Sequence, residues 1–265
     1  MNNLQPIIKP LKTIWAKGQY SKIGSKLVYV SEQLCESIDV IAGSQVLDVA
    51  CGHCNTALAA ARRECIVTAV DNTVELLEEG KKRCKTEGLA INLMQGDAQN
   101  MIFDDESYDY VLSTFGVQFT QNPQAAASEL TRVCRAGGKI GLTNWTPTGF
   151  AQKLNKVLSD YMPASSFPSP YLWGTEEGLD EYFSALTKSI SIENCTFKYR
   201  FPTVEAWFDT FSRTYGPIMS LYESLSDKSR QDLANSVNRV VGEFNISADS
   251  SLILPVDYIE VTLIR

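Results

Sequence analysis

From residue 44 onward, apolar runs that are typical of buried strands alternate with stretches that are typical of helices. The pattern predicts a strand at residues 44–50 (SQVLDVA), a short helix at 56–63 (TALAAARR) and a second strand at 65–71 (CIVTAVD), which ends in an acid. An apolar strand, a helix and another apolar strand in this order are typical of a βαβ unit.

The alternation continues as far as Trp145. It predicts further strands at 91–95, 108–115 and 139–145, separated by helices at 72–88 and 123–135. Five strands that alternate with helices indicate a mostly parallel sheet with helices on both faces, because each crossover lays its helix against the sheet.

Past Trp145 the pattern becomes less regular. A proline-rich loop (MPASSFPSPYLWG) and helical stretches precede a predicted strand at 189–201, and amphipathic helices at about 203–222 and 227–244 precede a last strand at 251–265. Pro255 near the start of that strand predicts an edge or bulge position, since proline cannot donate to a strand ladder. Helices inserted around late strands are typical of a cap over a sheet.

Length and charge narrow the class of partner. The 265 residues fit one elaborated α/β domain, and the net charge of −7 provides no general basic field for nucleic acid or an anionic membrane. No run of about 18 apolar residues and no signal-peptide pattern is present. Seven cysteines, an odd number, are typical of buried thiols in a reducing compartment. We therefore expect a cytoplasmic protein that acts on small molecules.

The tetrapeptide Cys51-Gly52-His53-Cys54 follows the first strand and admits three interpretations. It matches a thiol–disulfide oxidoreductase motif, although LDVA precedes it where those sites carry an aromatic residue. Its position between strand and helix is also where open α/β sheets bind cofactors. A dinucleotide site requires three spaced glycines, and here the corresponding residues are Gly52, Cys54 and Ala57. The remaining interpretation is an S-adenosylmethionine loop.

Three acids lie at successive strand ends. Asp48 precedes Gly52 and would direct a carboxylate toward a cationic ligand rather than a pyrophosphate. Asp71 follows Gly52 by 71 − 52 = 19 residues, close to the spacing at which an acid meets ribose hydroxyls. Asp97 follows the next strand and is placed to accept from an adenine amine. Each acid alone is also typical of a turn or helix cap, but their register favours S-adenosylmethionine.

On these residues the chain resembles the class I S-adenosylmethionine-dependent methyltransferases, and most of all a bacterial small-molecule group compared with the ubiquinone and menaquinone C-methyltransferases. The resemblance rests on VLDVACGHCNT, AVDNT, QGDAQNMIFDDESYDYVLSTFGVQF and RVCRAGGKIGLTNW, and covers about residues 44 to 146. One departure is Cys54, where family members often have a small residue.

The resemblance implies a Rossmann-like, doubly wound, seven-stranded and mostly parallel sheet with an inserted helical cap. It implies the cofactor S-adenosylmethionine, bound by Asp48, Ala50, Gly52, Asp71, Asn72, Asp97, Ala98, Thr114 and Phe115. We expect three regions: an N-terminal helical segment at 1–43 that covers the cofactor, the binding core at 44–146, and cap elements with the last two strands at 147–265.

Methyl transfer from a sulfonium needs alignment more than a nucleophilic side chain, because orientation alone supplies up to about 7–11 kcal/mol. The single histidine, His53, lies in the cofactor loop, so no catalytic residue is assigned, and no metal site is expected. Aromatic residues of the covering segments are candidates for the substrate pocket, with core packing as the alternative. The candidates are Tyr20, Tyr171, Trp173 and Tyr215.

We therefore expect a methyltransferase that acts on a small or medium-sized molecule by in-line transfer. Two alternatives stay open. A non-catalytic module that binds S-adenosylmethionine would look the same without a recognisable base, and the CGHC motif retains a thiol–disulfide oxidoreductase as a further possibility.

Overall fold

A seven-stranded sheet forms the centre of the computed structural model, which describes residues 11–162 and 168–265. The first ten residues of the predicted N-terminal segment lie outside this range. The strands are β1 Gln45–Val49, β2 Ile66–Asp71, β3 Ile91–Gln95, β4 Tyr108–Thr114, β5 Cys134–Trp145, β6 Ser189–Phe201 and β7 Leu252–Ile264.

The strand order is β3-β2-β1-β4-β5-β7-β6, and β7 alone runs antiparallel to its neighbours. The chain proceeds outward from β1 in both directions, so the order reverses between β1 and β4. In such a sheet a ligand binds beyond the carboxyl ends of the strands at this reversal. The predicted doubly wound, mostly parallel sheet is confirmed.

Eleven α-helices are formed by the described residues. They are α1 Leu11–Trp15, α2 Ser21–Gly24, α3 Val28–Ser37, α4 Asn55–Ala61, α5 Val74–Glu87, α6 Pro123–Val133, α7 Gly149–Ser159, α8 Glu176–Phe183, α9 Val204–Thr214, α10 Gly216–Ser224 and α11 Asp227–Glu243. One apolar cluster joins α3, α4 and α5 to the sheet, and another joins α6 and α8 to its opposite face. Successive side chains of β1 point to opposite faces of the sheet, so Val46 lies in the first cluster and Leu47 in the second.

The cap is built on a part of the sheet that extends past β5. Strand β7 pairs with β5 only from Tyr258 onward, whereas its first residues pair with β6 alone. Helices α7, α9, α10 and α11 pack on this extension in a third apolar cluster. Pro255 lies in the singly paired part, opposite Lys198, which agrees with the predicted edge position.

Two predicted boundaries are wrong. The helix expected at about 203–222 is two helices, because Gly216 and Pro217 begin α10 and proline cannot continue the hydrogen bonding of α9. A side chain at Gly216 would also collide with the Ile14 carbonyl, so the break lets the N-terminal segment approach. Strand β5 begins at Cys134, within the stretch predicted to end α6, and a bulge beside Tyr108 and Tyr110 accommodates the early start.

The unusual Cys54 is accommodated by a glycine on the neighbouring helix. Cys54 has a left-handed backbone (φ 71°) and is fully buried at the start of α4. A Cβ added at Gly80 of α5 would lie well inside the van der Waals distance of its Sγ. The larger residue in the loop is therefore matched by the absence of a side chain on α5.

We predict that Gly80→Ala destabilises the protein by about 1–3 kcal/mol through overpacking, although alanine normally stabilises a helix relative to glycine. The combined variant Gly80→Ala with Cys54→Ala should recover much of this loss, because the clashing sulfur is removed. Denaturant unfolding measures the free energy of unfolding of both variants.

The matched control is Gly242→Ala in α11, where an added Cβ meets nothing within 4 Å. This variant should be stabilised by up to about 1 kcal/mol. Equal effects at Gly80 and Gly242 would contradict the packing described for Cys54.

Candidate functional site

The loop after β1 contains residues with left-handed backbone conformation, and the carboxylate of Asp71 accepts a hydrogen bond from it. Ala50 and Gly52 both have positive φ, 53° and 54°. The Gly52 N–H donates to Asp71 Oδ2 and the Thr73 N–H donates to Oδ1, each at 2.8 Å. Burial raises the pKa of Asp71, and these amide donors oppose the rise. The end of β2 is therefore bonded directly to the loop of β1.

Asp48 has one oxygen engaged and one oxygen without a partner. Its Oδ2 accepts the Ala57 N–H at 2.8 Å, which bonds the end of β1 to the first turn of α4. Its Oδ1 is sealed from solvent and has no hydrogen-bond partner among the described residues. Burial, with a smaller contribution from Asp71, raises the pKa of Asp48 to about 8 against the lowering effect of the Ala57 N–H. A carboxylate left in this state favours a cationic or hydrogen-donating ligand.

A cavity of about 270 Å³ opens at the carboxyl ends of β1, β2, β3 and β4. All nine residues predicted to bind the cofactor border it: Asp48, Ala50, Gly52, Asp71, Asn72, Asp97, Ala98, Thr114 and Phe115. These nine residues lie together because parallel pairing brings the carboxyl ends of neighbouring strands to one edge of the sheet. Asp97 is exposed at the rim, where its Oδ1 accepts the Gln99 N–H at 2.9 Å.

Part of the cavity wall comes from helices that sequence patterns did not connect with it. The Thr56 hydroxyl lies 2.8 Å from Thr114 Oγ1 and 3.2 Å from Ser31 Oγ, so α3, α4 and the end of β4 meet there. Phe119 and Leu76 also border the cavity. No local motif marks these residues, because their position depends on how the helices pack on the sheet.

The aromatic wall at the end of β4 is held by a buried glutamine. Phe115 has a left-handed backbone (φ 57°) and stacks on Trp145, with ring centroids 3.7 Å apart and planes 2° from parallel. Gln118 donates from Nε2 to the Phe115 carbonyl and accepts the Trp145 N–H through Oε1, at 3.2 and 3.1 Å. Both stacked residues are thereby fixed from the backbone by one side chain.

His53 is a packing residue. Its ring lies against Gly24 of α2 and meets the edge of Tyr20 at 5.6 Å between centroids. Burial and the nearby Arg83 lower the pKa of His53 to about 3, so the ring is neutral. Arg83 also donates to the His53 carbonyl and to Asn55 Oδ1, at 2.7 Å each. The site therefore draws no general base from its single histidine.

The four residues expected in a substrate pocket differ in their position relative to the cavity. Tyr20 borders the cavity, and Tyr215 packs behind it with ring centroids 6.4 Å apart. Tyr171 lies in a 3₁₀ turn at Pro170–Gly174 and does not border the cavity. The expectation for Trp173 is wrong: it is 1% exposed and packs against Tyr182 at 5.1 Å in the apolar core beside α6 and α8.

The structure contradicts a thiol redox centre at Cys51 and Cys54. Both thiols are buried, and burial raises the pKa of Cys51 to about 12. The pKa of Cys54 is raised as well, chiefly by its hydrogen bond with Cys51. A reactive cysteine needs a lowered pKa and access to its partner. The match to the CGHC motif is therefore coincidental.

Within residues 11–162 and 168–265, no group of three or more histidine, cysteine, aspartate or glutamate side chains is arranged to hold a metal ion. No helix in these ranges combines the length and the apolar composition needed to cross a bilayer.

Comparison with known proteins agrees with this geometry. A family model described as a methyltransferase domain matches residues 46–138. An uncharacterised protein of Mycobacterium tuberculosis is 34% identical over 82% of this chain and 80% of its own length. A demethylmenaquinone methyltransferase of Clavibacter sepedonicus is 28% identical over 64% of this chain and 61% of its own length.

Solved structures share the fold at low identity. The YcgJ protein of Bacillus subtilis superposes with a TM-score of 0.61 at 19% identity, covering 89% of this chain and 98% of that one. A putative methyltransferase of Bacillus halodurans gives 0.62 at 20% identity, covering 88% and 97%.

We predict that Cys51 and Cys54 resist iodoacetamide in the folded protein and become labelled only in denaturant, as burial and a raised pKa require. Mass spectrometry of peptides measures the labelling, with the half-buried Cys195 as the internal comparison. Rapid native labelling of Cys51, or dithiol-dependent reduction of insulin by the protein, would restore the redox interpretation.

Proposed function

Because the chain belongs to the class I S-adenosylmethionine-dependent methyltransferases, we propose that the cavity at the ends of β1 to β4 binds this cofactor through the nine residues named above. We further propose that the methyl acceptor enters from the side of the cap. The observation that carries the proposal is that nine residues from four separate strand ends border one cavity.

The residues present suit the chemical groups of the cofactor. Asp48 borders the cavity, and its buried carboxylate suits the cationic amino-acid moiety through its charge. Each oxygen of Asp71 accepts one amide N–H, and a carboxylate has about four acceptor sites, so capacity remains for two ribose hydroxyls. Asp97 and Ala98 would hold the adenine, and Thr114 with Phe115 would border the sulfonium region.

The bound cofactor supplies an electrophilic methyl group. The protein orients the two reactants and excludes water from them. Trp15 and Tyr20 border the cavity from the N-terminal segment, and Phe115, which stacks on Trp145, borders it from the end of β4. Exclusion of water and fixed orientation suit in-line transfer, which needs no protein nucleophile. His53 is neutral and packed, so the chain provides no histidine base for the acceptor.

We propose the three expected regions as functional units. The described part of 1–43 covers the cofactor, 44–146 bind it, and the described part of 147–265 completes the sheet and forms the cap. All seven cysteines are free thiols, which supports a cytoplasmic location. The acidic net charge supports a small-molecule acceptor over nucleic acid.

A methyl-transfer screen tests the function. We expect transfer of radiolabelled methyl from S-adenosylmethionine to at least one compound in a panel of phenols, quinols, amines and thiols. The panel includes hydroxylated aromatics because the Clavibacter relative is named for demethylmenaquinone. Cofactor binding by calorimetry without transfer to any class would favour a non-catalytic module instead.

We predict that cofactor affinity depends on pH through Asp48. With a pKa near 8 in the free protein, the carboxyl is protonated at lower pH and must lose its proton to pair with a cation. Affinity should therefore rise by up to about tenfold per pH unit between about pH 5.5 and 7.5, where the ammonium of the cofactor stays charged. Calorimetry across this range measures it.

The control is Asp48→Asn, which keeps an oxygen for the Ala57 N–H and cannot titrate. It should bind more weakly and show a flat profile. Since the folded state holds the Asp48 proton more tightly than the unfolded chain, the wild type loses stability as pH rises from about 4 to 8. The asparagine variant should escape this loss, whereas the exposed Asp104→Asn should behave as wild type. An unchanged slope in Asp48→Asn would remove Asp48 from the site.

A further inference from the structure

Arg83 of α5 contacts the loop after β1 through a single nitrogen. Its Nη1 donates to the His53 carbonyl and to Asn55 Oδ1, each at 2.7 Å. His53 lies in the loop, and Asn55 is the first residue of α4. Both of these residues border the cavity, and Arg83 lies behind them. Arg83 therefore acts on the site only through residues that line it.

Asn55 extends this contact to the segment that borders the cavity from the N-terminal side. Its Nδ2 donates to the Gly24 carbonyl of α2 at 2.8 Å. The Gly24 N–H donates to the Tyr20 carbonyl, also at 2.8 Å, and Tyr20 borders the cavity. The His53 ring packs on the same glycine, where an added Cβ would collide with it. One guanidinium thus joins α5, the loop and the turn that carries Tyr20.

The loop is held from two sides by residues that follow one another along the chain. Asp71 at the end of β2 accepts the Gly52 N–H, and Arg83 in the next helix binds the carbonyl of the adjacent His53. Cys54, which follows, has a left-handed backbone with φ 71°. Backbone groups in such a turn lie outside regular helix and strand pairing, so they need partners from elsewhere.

The charge of Arg83 is directed at the loop. Arg83 is half-buried, and burial lowers its pKa, so the charged form is kept there at a cost. Both of its bonds to the loop region go to neutral oxygens. The nearby Glu87 instead accepts two bonds from Arg62, at 2.8 and 2.7 Å. Hydrogen bonds from a charged donor are roughly twice as strong as neutral ones, so the guanidinium holds the loop firmly.

We propose that Arg83 is a positioning residue for the cofactor: through the His53 carbonyl and Asn55 it holds the loop after β1 in its binding shape and keeps α2 against it. This rests on the proposed cofactor site. A loop that is ordered before the ligand arrives does not have to be ordered at the moment of binding, so affinity rises. Without Arg83 the same residues line the cavity, but the loop and the Tyr20 turn lose their shared anchor.

The test is calorimetry of S-adenosylmethionine and S-adenosylhomocysteine binding to Arg83→Met, which keeps an aliphatic stem and removes both donated bonds. We expect both ligands to bind about tenfold more weakly or worse. The two ligands should weaken by the same factor, because a displaced loop affects what they share. A role through charge alone predicts the opposite split, since removal of a positive charge favours the sulfonium ligand.

Two further variants examine the contacts themselves. Arg83→Lys places three donors on a stem one bond shorter, so affinity should return to a value between wild type and Arg83→Met. In an Asn55→Ala background, Arg83→Met should weaken binding by a smaller factor, because one of its two acceptors is already absent. Arg83→Gln replaces Arg83→Met in these comparisons if the methionine variant does not fold.

The matched control is Arg62→Met. Arg62 follows α4, donates to Glu87 of α5 and pairs with Glu32 of α3, so it joins neighbouring helices without contacting the loop. Both affinities should stay within about twofold of wild type, because exposed ion pairs of this kind make small contributions to folding. Thermal unfolding of both methionine variants separates a loss of stability from a loss of affinity.

His53 provides a spectroscopic measure of the loop. It is the single histidine of the 265 residues, so an untagged protein gives one imidazole signal in a ¹H–¹³C NMR spectrum. In the absence of ligand this signal should move in Arg83→Met and coincide with wild type in Arg62→Met. General loosening of α5 without displacement of the loop would leave it in place.

The inference is overturned if Arg83→Met binds both ligands as wild type does, if Arg62→Met weakens them equally, or if the effects of Arg83→Met and Asn55→Ala are additive. Weaker binding of S-adenosylhomocysteine alone would overturn it in favour of a charge effect. Each of these outcomes leaves the cofactor site standing. Failure of the wild type to bind either ligand would instead overturn the proposed cofactor site, and this inference with it.

Discussion

The candidate site depends on the hydrogen bond between the Gly52 N–H and the Asp71 carboxylate, which joins the loop of one strand to the end of the next. The loop is left-handed at Ala50 and at Gly52, so its backbone needs an external acceptor to hold this shape. The acceptor is itself buried, and its desolvation is compensated by amide donors. The same geometry leaves carboxylate oxygens facing the cavity, so the bond that shapes the loop also makes the site receptive to cations and hydroxyl donors.

Close packing around this loop explains two residues that would otherwise look anomalous. The ring of His53 occupies the space left by Gly24, and the sulfur of Cys54 occupies the space left by Gly80. Each pair places a larger side chain in the loop against a helix position without one. A histidine and a pair of cysteines, which suggest acid–base or redox chemistry in isolation, thus serve to dock α2 and α5 on the loop.

The aromatic residues of the cap divide between stability and function. Trp207 and Phe211 stack with centroids 4.2 Å apart in the core of the cap, and Trp173 fills the core under the opposite face of the sheet. Tyr20 alone of the four expected pocket residues borders the cavity, with Tyr215 packed behind it. The cap therefore uses most of its apolar rings to hold its helices on β6 and β7, and tyrosines remain at its boundary with the cofactor cavity.

The sequence by itself determined the sheet and the strand ends. Apolar strands in a βαβ pattern must pair in parallel, so acids that follow them, such as Asp48, Asp71 and Asp97, must gather at one edge. Tertiary structure alone decided which aromatic rings face the cavity, because a buried ring on a helix gives the same periodicity whichever neighbour covers it. Tertiary structure also decided that Gln118 accepts the Trp145 N–H. It likewise decided that the helix after Thr203 ends before Pro217, where the N-terminal segment packs against Gly216. These contacts join residues that are distant in the chain, so no local pattern encodes them.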